Sequence, residues 1–165
     1  MSALFVLPGD GKAVHVGGLG VVFKLFGQDT GGRLAVVEHP LAAGALGGPP
    51  HVHHREDEIS YVLEGEFTIQ MADELIMAPT GTLIFKPRGV QHTFWNHTSA
   101  PARLLEIISP AGFEHYFEEL VTVVPADGRP PADMTPLIQL AQRYDLEVDM
   151  GAAMALVQKY HVRLG

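Results

Sequence analysis

The side chains best placed to do chemistry lie in the run His51-Val52-His53-His54-Arg55-Glu56-Asp57-Glu58. On a β-strand successive side chains alternate faces, so His51 and His53 project the same way, roughly 6.5–7 Å apart. Two imidazoles at that spacing can converge on one metal ion if their rings tilt inward. Glu58 stands five residues past His53, an odd offset that a continuous strand would turn to the opposite face. A bend within residues 54–57, which are polar enough for a surface turn, lets Glu58 face inward on the next strand beside Ser60 and Val62. His54 then points outward. A second cluster follows at Gly81 to Asn96. Pro87-Arg88-Gly89 suits a tight turn, with proline fixing φ and glycine permitting a positive φ. His92 opens the strand beyond it, with Phe94 and Asn96 on the same face.

These residues need a rigid frame of short strands. Leu4–Leu7, Val14–Val16, Val21–Phe26 and Leu34–His39 are brief runs rich in β-branched or aromatic residues. Ile59–Leu63, Glu66–Met71, Leu75–Met77, Thr82–Lys86, His92–Asn96 and Ala102–Ile108 continue the series, with glycine, proline or aspartate between them. About ten strands with nothing helical between them predict an antiparallel sandwich or barrel over residues 1–110. The pattern changes after Pro110. Phe113, Tyr116, Phe117 and Leu120 fall at i, i+3, i+4 and i+7, one apolar helical face. Thr135 reads as an N-cap before Pro136, opening a second stripe of Leu137, Leu140, Ala141 and Tyr144. Ala153, Leu156, Val157 and Tyr160 make a third. Residues 111–165 therefore read as a C-terminal helical extension packed on the barrel or on a partner subunit.

Composition removes several function classes. The chain has 165 residues, nine histidines and no cysteine, so it has no disulfide framework, thiolate metal site or cysteine nucleophile. Nineteen acids against eleven bases give a net charge of −8, which argues against a nucleic-acid surface. No run approaches the ~20 apolar residues of a membrane span. Residues 1–10 lack the basic region of a signal peptide, so the expected location is the cytoplasm.

His51-x-His53-x4-Glu58-x6-Gly65 and Gly81-x5-Pro87-x-Gly89-x2-His92-x3-Asn96 resemble the two signature motifs of the cupin superfamily. The second agrees at every defined position. The first departs at its leading glycine, where Ala45 stands with glycines at 44, 47 and 48. The resemblance implies an all-β fold, a double-stranded β-helix (jelly-roll) barrel whose mouth holds one metal ion. Carried over position by position, the ligands are His51, His53, Glu58 and His92. Such a set, without sulfur, suits one divalent transition metal ion per chain: Fe, Mn, Ni, Co, Cu or Zn.

Within the superfamily the Pro-Pro-His-x-His pattern is most similar to small bacterial single-domain cupins of quercetinase type. That likeness implies a metal-dependent dioxygenase, an oxidoreductase acting on a small oxygenated organic compound, with Glu58 doubling as general base. A phenylalanine is common in that group where this chain has Ser60, so the substrate pocket is expected to be larger or more polar there. Its walls are expected from Ser60, Val62, Phe94 and Asn96. A non-redox isomerase or hydrolase, and a binding or sensing module, are the alternatives. A small-molecule substrate, no nucleic acid, no membrane and a second copy of the chain in a homodimer complete the expectations.

Overall fold

In the computed structural model, which describes residues 4–164, the chain forms two facing sheets with four helices. The strands and helices in order are β1 (Lys12–Val16), β2 (Leu19–Leu25), α1 (Gly27–Thr30), β3 (Ala35–Leu41), β4 (Ala45–Leu46), β5 (His51–His53), β6 (Asp57–Glu64), β7 (Glu66–Met71), β8 (Glu74–Pro79), β9 (Leu83–Lys86), β10 (His92–Trp95), β11 (Ala102–Ser109), α2 (Glu114–Val123), α3 (Thr135–Arg143), β12 (Leu146–Val148), α4 (Met150–Tyr160) and β13 (Arg163–Leu164). One sheet runs β1-β2-β3-β11-β6-β9. In the other, β10 pairs with β7 along one side and with β5 and β4 end to end along the other. The result is the expected jelly-roll barrel with C-terminal helices.

Alternation explains the core. β11 buries Ala102, Leu104, Glu106 and Ile108 on one face, and β3 buries Ala35, Val37, His39 and Leu41. These side chains meet Phe67, Ile69 and Ile84 between the sheets. A second cluster forms outside the barrel, where Leu46 and Trp95 are covered by Ala153 and Leu156 of α4. Among the described residues no helix is long and apolar enough to cross a membrane.

Four sequence expectations need correction. Leu4–Leu7 forms no strand, and Leu4, Phe5 and Leu7 are exposed, because no neighbouring strand accepts the run. Met1–Ala3, the start of the segment read for targeting, lie outside the described residues. The segment between Val21–Phe26 and Leu34–His39, expected to hold nothing helical, begins as the short helix α1. Helix α3 opens at Thr135 itself, with Met134 as the N-cap residue, and the Thr135 N–H donates to Asp133 Oδ1 at 2.9 Å, so Thr135 is the first helical residue and not the cap. Residues 111–165 also add two strands: β12 pairs antiparallel with β5, and β13 runs parallel to β4. The helical extension is thus stitched by backbone hydrogen bonds to the strand that carries His51 and His53.

Candidate metal centre

Three local devices bring the motif residues together. On β5, His51 and His53 share a face, as alternation requires. The chain then bends at residues 54–56 and re-enters as β6 with Glu58, Ser60 and Val62 buried. The turn at Pro87 is closed by Val90 N–H to Pro87 O, with Gly89 at φ 78°, where a side chain would be strained. Gly89 N–H also donates to His53 O at 2.8 Å, tying that turn to β5. His92 follows as the cross-strand partner of His51.

His51, His53, Glu58 and His92 each offer a ligand atom, and the four atoms lie within 4.8 Å of one another. Ring orientation is set from behind. His51 Nδ1 donates to Pro49 O at 2.7 Å and His92 Nδ1 to Val90 O at 3.0 Å. A carbonyl can only accept, so Nδ1 carries the proton in both rings; the His51 Nε2 lone pair is then left for an ion, while His92 Nε2 lies 3.1 Å from Glu58 Oε2. His53 Nδ1 faces the buried Glu56 carboxylate at 3.5 Å. Burial, then the neighbouring His92 and His53, hold the His51 pKa well below its ordinary value. Burial likewise lowers His92.

The residues fit a metal ion on one further observation. Both ring nitrogens of His53 and Glu56 Oε2 are buried without a hydrogen-bond partner. Each such group costs roughly 1–3 kcal/mol. A cation bound at His53 Nε2 would satisfy the ring and draw its Nδ1–H toward Glu56, the carboxylate–histidine arrangement typical of metal sites.

Glu58 is the junction between this cluster and a buried ion network. Lys86 Nζ lies 2.7 Å from Glu58 Oε2 and 2.7 Å from Glu106 Oε2, and all three side chains are almost fully buried. Burial alone would raise the Glu58 carboxyl, but Lys86, then His53 and His92, outweigh it and hold the pKa well below the usual range. Such a carboxylate is a good ligand and a weak proton acceptor, which runs against the sequence expectation that Glu58 doubles as base. Burial dominates at Glu106 instead and pushes it to about 7 despite Lys86.

The cluster closes one end of a cavity of about 80 Å³. Of the residues expected on the substrate wall, Phe94 is there. Ser60 stands behind the wall, donating to Glu106 Oε2 at 2.9 Å. Val62 is fully buried in the core. Asn96 is used structurally: its Nδ2 donates to Ala100 O at 2.7 Å, and its Oδ1 accepts from Thr98 N–H at 2.9 Å. Their places on the wall are taken by Glu106, His39 and the aromatic rings of Phe113, Tyr116 and Phe117. His39 is buried too, with Nδ1 on Gly20 O at 3.1 Å. The alternation of β11 carried a signal for Glu106, a charge in register with Leu104 and Ile108. Lys86 carried one too, in register with Ile84 while Leu83 and Phe85 point outward. His54 is outward as expected, its side chain 44% exposed.

Residues 38–108 match the family described as the cupin domain. These residues are a cupin domain. Its barrel superposes on KdgF from a Halomonas species with a TM-score of 0.61 and 21% identity, over 69% of this chain and 99% of that one. An RmlC-like cupin from Shewanella frigidimarina gives 0.59 and 26% identity, over 69% of this chain and 96% of that one. In sequence, 87 residues are 31% identical to a probable oxidoreductase of Hypocrea virens, over 50% of this chain and 40% of that one. The chain spans about half or less of the length of the curated relatives it matches. About a third of the chain lies outside each of these two superpositions.

Proposed function

We propose that the protein is a metal-dependent oxidoreductase of dioxygenase type acting on a small oxygenated organic compound, and that it works as a homodimer. One observation carries this reading: His51, His53, Glu58 and His92 each offer a ligand atom within 4.8 Å of the others, and three of them, His51, His53 and Glu58, line a mostly apolar cavity. A divalent ion held there by His51, His53, Glu58 and His92 would supply Lewis-acid and redox chemistry, with coordination positions left open toward the cavity. The protein's own contribution is positioning. Backbone carbonyls aim His51 and His92, Glu56 backs His53, and Lys86 pins one Glu58 oxygen so that the other is left toward His53. Phe113 stacks edge-on to His53 at 4.2 Å between ring centres and shields that flank from water.

The likeness to a probable oxidoreductase supports redox over non-redox use of the ion. The deciding experiment is oxygen uptake by protein loaded with Fe(II), Mn(II) or Ni(II), across a panel of enols and catechols. Uptake that depends on both metal and organic substrate is the expected result. Bound metal with no uptake from any of them would leave a Lewis-acid isomerase or hydrolase, or a binding module, in its place.

A further inference from the structure

Beside the metal cavity, under the C-terminal extension, lies a chamber of about 260 Å³. The two spaces share Leu19, Tyr116, Leu120, Leu146, Val148 and the Gly47–Pro49 turn as common wall. Beyond that wall the chamber is lined by Val16, Leu137, Ala141 and Met134, among other apolar groups, with Gln142 as a polar side chain. It is larger than the roughly 150 Å³ apolar cavity that stays dry and takes up benzene.

The chamber exists because of how the extension is attached. β12 docks Leu146 and Val148 beside the strand of His51 and His53, and α2 and α3 bring Leu120, Leu137 and Ala141 over the barrel mouth.

We propose that the chamber receives the apolar body of the substrate, so that the substrate is an amphipathic compound: an oxygen-bearing head at the metal cluster and an alkyl or aryl body under α2 and α3. This rests on the metal-centred function above and adds the substrate class to it. Specificity then belongs to Leu137, Ala141 and Met134, which line the chamber and not the metal cavity. Each methylene moved from water into the chamber strengthens binding about fourfold when fully buried.

The test uses zinc-loaded protein, which binds without turnover, and calorimetric titration with catechol and 4-butylcatechol. The butyl compound is expected to bind at least tenfold tighter. The gain should vanish in Ala141→Phe and in Met134→Trp, the latter at a half-buried position outside the main core, while catechol affinity and zinc content stay unchanged. Equal affinities for the two compounds, or a gain that survives both filled variants, would overturn the chamber assignment and leave the metal reading standing. If both compounds bind equally well without zinc, the head is not at the cluster, and the metal-centred function falls together with this proposal.

Discussion

Lys86 and Glu58 form an ion pair, Nζ to Oε2 at 2.7 Å, with both side chains at most 6% exposed and the ammonium shared with Glu106. Burial disfavours the charged lysine, yet Glu106 and then Glu58 outweigh it and raise its pKa. The pair therefore stays charged inside the barrel, with Glu58 Oε2 shared between Lys86 and His92 Nε2 at 3.1 Å and Oε1 turned toward His53 Nε2 at 3.4 Å.

Removing one member strands the others. Lys86→Met should cost roughly 3–5 kcal/mol of stability, because two buried carboxylates lose their counter-charge. Adding Glu106→Gln to that variant should recover part of the loss by neutralising one of them. Urea denaturation of the three proteins measures both effects, and a Lys86→Met variant as stable as the parent would refute the account.

The ligand set predicts graded metal loss. His92→Ala should remove most of the bound metal, read by elemental analysis of purified protein. Glu56→Gln keeps all four ligands but weakens the partner of His53 Nδ1, and its metal affinity should fall about 10- to 100-fold. Full metal retention in His92→Ala would dismiss the assignment.

Stability should depend on pH through His39. Burial lowers its pKa from 6.5 to about 4, with the Gly20 carbonyl opposing in part. The unfolded chain takes up a proton as pH falls through 6.5, whereas the folded chain does so only near 4. The stabilising difference is thus complete above 6.5 and lost as pH drops toward 4, at up to about 1.4 kcal/mol per pH unit. Unfolding midpoints between pH 7 and 4.5 should fall less steeply for His39→Gln than for the parent; identical slopes would remove His39 as the cause.

The outer face of the six-stranded sheet offers the surface we propose for pairing with a second copy. β9 is an edge strand, Leu83 is 67% and Phe85 57% exposed, and they lie across from Tyr61 and Ile59 of β6. An apolar edge of this kind invites pairing with a second copy about a two-fold axis. Light scattering should give a dimer for the parent and a monomer for Phe85→Glu. A monomeric parent at tens-of-micromolar concentration, on the order of an ordinary assay, would exclude this surface as a stable interface.

Strand alternation and turn chemistry are local rules. They were enough to place His51 and His53 on one face, to require the bend before Glu58, and to seat His92 after the Pro87–Gly89 turn. The composition of the short runs likewise carried most of the barrel, although Leu4–Leu7 has the composition of a strand without forming one. The neighbours of those residues depended on pairings distant in sequence. Glu58 meets Lys86 and Glu106 only because β6 lies between β9 and β11, and no local pattern states that order. The roof over the metal cavity depended on β12 and β13, strands of three and two residues too short to show a period, which only backbone partners in β5 and β4 make into strands. The amino-acid sequence by itself determined which side chains can hold an ion. Tertiary structure decided what surrounds that ion, because burial, counter-charge and cavity shape are made by segments that meet only on folding.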